Sequence, residues 1–362
     1  MRTVSVTFHE GTVVMAKYRV AIVGLGRMAS TIDDEVVDYP AVALPYSIAA
    51  ACQKIDALEL VAGADILPEK REAFSKRWGV HALYEDYLQM IAREKPDLVA
   101  ICTKGELHAE MAVRVAEAGV PMVYLEKAMA CSMEEADGVL KACQENGVYL
   151  NTGVLRRFDS RYRQARQWIE QGAIGEPRTG VHYAATNLMH GHIHSVDTLM
   201  YLMGDPKAVA VTGTLRPHSS RIQNNRLDND PNATYHVEFE NGIEAWSIPS
   251  GHWDFEIFGT KGSIKGVNNG MEWRLRNRET PLGAKRVVYT EAPYPTPPSK
   301  SATQFCLEDL VQAYEAKRPP LGDVAIAHHA TEICLAVAES HRQGGVRVVL
   351  PLENRSLYVW HV

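Results

Sequence analysis

The sequence has no apolar run long enough to span a bilayer, which takes about 20 consecutive apolar residues. It has no basic block: 38 Lys and Arg are dispersed among 44 Asp and Glu, for a net charge of -6. Clustered cations are what bind phosphate backbones, so neither nucleic acid nor a membrane surface is expected as a partner. Close cysteine pairs are also missing. Cys52, Cys102, Cys131, Cys143, Cys306 and Cys334 stand far apart, which fits reduced thiols and a cytoplasmic location rather than a disulfide framework. Residues 1–14 alternate polar and apolar without a hydrophobic core, so no signal peptide is expected. The sequon Asn232-Ala233-Thr234 is then one by spelling only. Internal repeats and low-complexity tails are absent too.

What is present is ample apolar material, 46% of 362 residues, enough for two sizeable cores. From Tyr18 onward, short apolar runs alternate with amphipathic stretches. Strands are predicted at 18–23, 58–64, 98–102, 122–125 and 148–152, and helices at 68–78, 107–118 and 132–146. That alternation predicts an α/β domain, a doubly wound parallel sheet, over residues 18–152. Residues 1–17 precede it as an arm, and Met15 is a candidate start. After Gly153 the strands lengthen, at 178–187, 207–215, 233–240, 242–249 and 253–258. Glu240-Asn241-Gly242 is a hairpin signal. Helices at 159–171, 194–203, 301–317 and 324–343 complete an α+β domain over 153–362, with a mostly antiparallel, open sheet covered on one face and a last segment that is a candidate to pack back on the first domain. Four prolines make 290–299 a surface loop.

Gly24-Leu25-Gly26-Arg27-Met28-Ala29 directly follows the first strand and matches G-x-G-x-x-A. The first glycine permits the tight turn, and the second lets backbone approach a pyrophosphate. The small last residue lets helix and strand pack closely. This is the fingerprint of a dinucleotide-binding Rossmann domain, with Arg27 and Met28 beside the phosphates. The second strand ends in Asp65, placed to accept both ribose hydroxyls. Such an acid repels a 2′-phosphate and Ile66 brings no cation, so NAD is favoured over NADP. Lys70 and Arg71 either swing toward that site or belong to a solvated helix face. The acid comes about twice as far along as usual, because residues 30–48 are inserted in the first crossover. That insertion emerges beside the cofactor as a lid, a subunit contact or a plain loop.

Further matches follow in order along the chain. Cys102-Thr103-Lys104-Gly105-Glu106-Leu107-His108 resembles the T-P-x-x-x-H loop of the Gfo/Idh/MocA oxidoreductases. Glu126-Lys127-Ala128-Met129-Ala130 resembles their E-K-P-x-A motif, and Gly153-Val154-Leu155-Arg156-Arg157-Phe158 their G-x-x-R-R-F segment. Gly172 to Gly175 resembles a G-x-I-G turn, and His194-Ser195-Val196-Asp197 the H-x-x-D that opens the catalytic helix. Phe258 to Ser263 and Gly345 to Leu350 resemble a later hairpin and the closing strand. The resemblance implies a nicotinamide-dependent dehydrogenase of sugars, cyclitols or related polyols, forming homodimers or homotetramers through the second sheet. It places Thr103, His108, Glu126 and Lys127 at the cofactor. Lys127 and His194 become catalytic, with Arg157, His190, His194 and Lys127 around the substrate.

The chemistry agrees. Oxidising a secondary alcohol needs a base with a pKa near the working pH, which suits His194. Lys127 can hydrogen-bond the substrate hydroxyl or hold the nicotinamide ribose. The family usually carries Asp four residues before the catalytic His, whereas this chain has His190. His190 is therefore read as a neutral, substrate-contacting residue, and Asp197 as either an orienting or a helix-start group. Relatives that use NAD in redox-neutral glycoside hydrolysis also carry His-Gly at this point but lack the later His. Two alternatives thus stand beside the dehydrogenase: a redox-neutral glycosidase, lyase or epimerase, and a cofactor-binding regulator. His190, His192 and His194 at alternate positions could suit a metal on a strand, but no Cys or carboxylate accompanies them, and none is assigned.

Overall fold

A computed structural model describes residues 17–283 and 285–361. The proposed arm and the start at Met15 lie outside that range. Strands β1 (Tyr18–Val23), β2 (Leu58–Ala64), β3 (Ala82–Tyr84), β4 (Leu98–Ile101), β5 (Met122–Leu125) and β6 (Tyr149–Thr152) form a six-stranded sheet in the order β3-β2-β1-β4-β5-β6. Every described pairing in it is parallel. Strand residues alternate faces. In β1, Ala21 and Val23 join the core under α4 (Tyr87–Glu94), α5 (His108–Glu117) and α6 (Met133–Asn146). Val20 and Ile22 join the opposite core, with α2 (Ile48–Cys52) and with Phe74 of α3 (Pro68–Trp78). The sheet is thus doubly wound, as the alternating pattern predicts. The edge pair β3 and α4 went unread because its strand has only three residues, none fully buried.

The inserted crossover holds a one-turn helix, α1 (Ile32–Val36), and a coil running to Ser47. Asp33 closes this coil by accepting from the backbone N–H groups of Tyr46 (2.7 Å) and Ser47 (3.0 Å).

Beyond β6 come α7 (Ser160–Glu170), β7 (Pro177–Tyr183) and α8 (Ile193–Met203). Next are β8 (Ala208–Arg216), β9 (Arg226–Leu227), β10 (Asn232–Phe239), β11 (Glu244–Ile248), β12 (Asp254–Gly259), β13 (Gly262–Val267), β14 (Glu272–Glu279) and β15 (Val288–Ala292). Last are α9 (Ala302–Ala316), α10 (Val324–Arg342), β16 (Val348–Val349) and β17 (Tyr358–Val359). The second sheet runs β15-β14-β13-β12-β7-β11-β10-β8-β16 and is antiparallel except where β11 pairs with β7. Two expectations change here. The strand predicted over 178–187 ends at Tyr183, and a π-helical turn, Leu188–His192, leads into α8. Helix α9 packs back on the first sheet: Cys306, Leu307 and Leu310 join Leu98, Met122 and Tyr124 in one core. Among the described residues, no helix is long and apolar enough to cross a membrane.

Arg157 joins the domains. It is fully buried, and its Nε and Nη2 donate to Asp197 of α8 at 2.9 and 2.6 Å. Nη2 also reaches Asp205 at 3.0 Å, and Nη1 donates to the carbonyl of Leu321 at 3.0 Å. Removing one partner of such a pair strands the other charge without solvent. Asp197→Ala should therefore lower unfolding free energy by about 3–5 kcal/mol in chemical denaturation; a loss below about 1 kcal/mol would show that water reaches the arginine.

Candidate active site

The chain turns out of β1 at Gly24, whose φ is +82°. A Cβ there would lie 2.7 Å from the carbonyl oxygen of Cys102, so glycine alone lets the loop press against the end of β4. A Cβ on Gly26 would meet only the tip of Lys70, at 3.6 Å. The loop backbone is thus open on the side where a pyrophosphate would approach. Asp65 stands at the end of β2, accepting from the N–H groups of Leu25 (2.9 Å) and Leu67 (3.0 Å). Lys70 Nζ is 3.9 Å from its carboxylate, and Arg71 donates to its carbonyl at 2.6 Å. Both cations are turned toward Asp65 rather than spread on a solvated face. Arg27 is exposed and paired with Glu35 at 2.7 Å, Met28 is half-buried, and Ile66 is exposed. An open glycine loop with an acid beside it fits a dinucleotide.

Three residues assigned from the motifs take other places. His108 is buried, its ring nitrogens facing the carbonyl oxygens of Ala128 (2.7 Å) and Thr103 (3.1 Å). It ties the Thr103 loop to the Lys127 loop from within. Glu126 is buried beneath the sheet end, where its carboxylate accepts from the Tyr124 hydroxyl and, at 3.4 Å, from the Lys127 N–H. Arg157, expected at the substrate, lies inside the Asp197 ion pair and cannot touch a ligand. Its neighbour Arg156 faces the pocket instead.

Lys127, beyond the end of β5, meets the second domain at His190, with Nζ 3.1 Å from Nδ1. Burial lowers the Lys127 pKa from its ordinary value, with Glu126 and Asp230 opposing the shift. Burial first, then the Lys127 charge, pushes His190 down to about 4. His194 is held well below the ordinary histidine value by burial, Lys127, Arg156 and His190. Both imidazoles are therefore neutral at neutral pH. His192 points elsewhere, toward Ser195 Oγ (3.0 Å) and the Ala233 carbonyl (2.9 Å). The three histidines do not converge because the π-helical turn rotates them apart. Among the described residues, no group of three or more His, Cys, Asp or Glu is arranged to hold a metal ion.

Asp230 has no signal in the sequence. Its carboxylate accepts from the N–H groups of Met189 (2.8 Å) and His190 (2.7 Å), pinning the turn that aims His190 at Lys127. Arg156, Trp253, Asn269 and Lys300 also line a cavity of about 230 Å³ with His190 and His194. Part of the wall is the insertion, through Ala41, Val42, Ala43 and Tyr46. The insertion thus emerges beside the site, as expected, and lines it. It is tied down by Arg161 donating to the Ala41 carbonyl at 2.5 Å, Thr303 to the Tyr46 carbonyl at 2.8 Å, and Asn269 to the Tyr39 hydroxyl at 3.2 Å.

Residues 18–154 match the family described as "Oxidoreductase family, NAD-binding Rossmann fold", and residues 181–350 its C-terminal alpha/beta domain. The chain belongs to the Gfo/Idh/MocA oxidoreductases. It is 29% identical to the scyllo-inositol 2-dehydrogenase (NAD(+)) of Bacillus subtilis over 270 residues, 68% of this chain and 72% of that one. It is 29% identical to the 2,7-anhydro-N-acetylneuraminate hydratase of Mediterraneibacter gnavus over 201 residues, 49% of this chain and 52% of that one. The aldose-aldose oxidoreductase from Caulobacter crescentus superposes with a TM-score of 0.71 at 22% identity, over 92% of this chain and all of that one. At that identity the likeness is one of fold. The first domain of this oxidoreductase is accordingly an NAD-binding Rossmann fold.

The Asp230 charge favours the ammonium form of Lys127. Asp230→Asn removes that charge, so the Lys127 pKa should fall and the alkaline limb of the kcat/KM profile should move to lower pH. An unmoved alkaline limb would separate Asp230 from the lysine.

Proposed function

We propose that this chain oxidises a secondary hydroxyl of a sugar, cyclitol or related polyol, with NAD as the acceptor. The reading is carried by one observation: Lys127 at the end of the NAD-binding sheet meets His190, which lines a half-open polar cavity together with His194. When bound, NAD supplies the hydride acceptor. The Lys127 ammonium holds the substrate oxygen and lowers its proton affinity. The neutral His194 ring takes the hydroxyl proton on a free nitrogen, and a base kept neutral by burial is ready for this at neutral pH. His190 accepts from Lys127 and so aims it. The inositol dehydrogenase relative supports this reading. NADP is disfavoured by Asp65 at the ribose position.

The hydratase relative keeps a redox-neutral reaction in view. In that case the substrate would be oxidised transiently and the hydride returned to it. We place the contact of a homodimer or homotetramer on the outer face of the second sheet. There Trp246 (42% exposed) and Ile248 (41% exposed) stand together, with His236 stacked on Trp246 at 3.9 Å. The six unpaired cysteines favour the cytoplasm as its compartment.

Incubation with NAD and a panel of polyols decides the class. Net NADH marks a dehydrogenase, and product without NADH marks the redox-neutral reaction. Neither, with tight NAD binding, marks a regulator. Lys127→Ala and His194→Ala should each cut turnover by about 10²-fold or more, while NADH binding by fluorescence survives; wild-type turnover in either would displace the site. Asp65→Ala should raise the KM for NAD and narrow its advantage over NADP, and an unchanged KM would remove the ribose contact.

A further inference from the structure

The cavity carries more positive charge than a neutral polyol needs. Arg156 and Lys300 both line it, and Asp159 is its acidic lining residue. The Asp159 carboxylate is engaged already. It accepts from the Arg161 N–H (2.8 Å), Nε (3.1 Å) and Nη2 (2.9 Å). Burial keeps His190 and His194 neutral, so neither offsets nor adds charge at neutral pH. Lys127, behind them, has Glu126 and Asp230 nearby. Arg156 and Lys300 make no ion pair among the described residues, and their charges stand uncompensated.

Arg156 is also held rigid. Its Nε and Nη2 donate to Asn269 Oδ1 at 3.1 and 2.7 Å. The guanidinium lies 4.5 Å from the ring centre of Trp253 and 5.6 Å from that of Phe255. A neutral amide thus fixes one edge and an indole fixes the plane. The end-on edge, Nη1 with Nη2, remains, and that fork of parallel N–H groups matches a carboxylate. A structural arginine meets its carboxylate inside the protein, as Arg157 does next door. Arg156 has an amide and aromatic rings around it but no carboxylate in ion-pair reach among the described residues, and so lacks its anion.

We propose that the substrate is a sugar acid, such as a uronate or aldonate, whose carboxylate is gripped end-on by Arg156 with Lys300 at the rim. The inference rests on the reading of this cavity as the polyol site. A carboxylate is chosen over a phosphate because one planar guanidinium edge suits a planar anion.

The test titrates NADH-loaded protein with D-glucuronate, D-galacturonate and D-gluconate. D-glucose, D-galactose, myo-inositol and glucose 6-phosphate are titrated in parallel. At least one acid should bind about tenfold or more tightly than its neutral counterpart, the scale of a hydrogen bond to a charged group. Arg156→Gln should abolish most of that preference and Lys300→Gln part of it. Lys300 is exposed, so its variant reads the preference even if Arg156→Gln fails to fold. Neutral sugars binding as tightly, the phosphate ester binding more tightly, every acid failing to bind, or a preference that survives both substitutions would overturn the inference. Turnover is followed separately. An acid that binds but yields no NADH defeats the dehydrogenase reading and leaves the carboxylate site standing. Neutral polyols oxidised through an unselective pocket do the reverse.

Discussion

Arg157 takes a full charge out of water, and that is tolerable only while Asp197, Asp205 and the Leu321 carbonyl surround it. The arginine follows the last strand of the NAD-binding sheet, and Asp197 belongs to α8. The helix cannot slide along its axis without opening the pair. His194 lies one turn before Asp197 on that helix, and His190 another turn back. Their height over Lys127 is therefore set by an ion pair that never meets substrate. The adjoining Arg156 leaves the backbone on the pocket side. Of two successive arginines, one joins the domains and its neighbour faces the cavity.

Around Lys127 the protein sets desolvation against charge. Burial would strip the lysine of its proton, and Glu126 and Asp230 resist that. Burial, with the lysine charge adding to it, keeps His190 and His194 deprotonated. One ammonium among neutral imidazoles provides a donor and a base within a single cluster. Neither role needs an aspartate at position 190, because Asp230 brings the negative charge from a distant loop. It grips the backbone of the turn rather than the imidazole itself.

The parallel sheet and the glycine loop were legible, as were the places of Asp65, Lys127 and His194, because each sits at a fixed offset from a strand end or helix start. Phase was not legible. In the Arg156-Arg157 pair, the side that each residue faces depends on a short 3₁₀ turn, Leu155–Phe158, that no periodicity marks. His108 and Glu126 belong to recognisable motifs, yet they hold loops together from within. Trp253 and Asn269 reach the cavity, and Asp230 the turn that carries His190, from loops of the second domain. Such residues are joined to the site only by the tertiary fold, so nothing local announces them. The packing of α9 on the first sheet was hidden for the same reason: an amphipathic stripe does not say which flank it covers.

The inserted crossover changes how traffic can pass. It leaves the first domain, yet its coil is moored to α7, to α9 and to the hairpin turn carrying Asn269. Rocking the domains apart would break all these moorings together. Peeling back the stretch from Tyr39 to Tyr46 alone leaves the Arg157 pair and both sheets intact. The insertion thus acts as a second strap between the domains, and uncovering the cavity on that side means breaking the bonds that hold it to α7, α9 and the Asn269 turn.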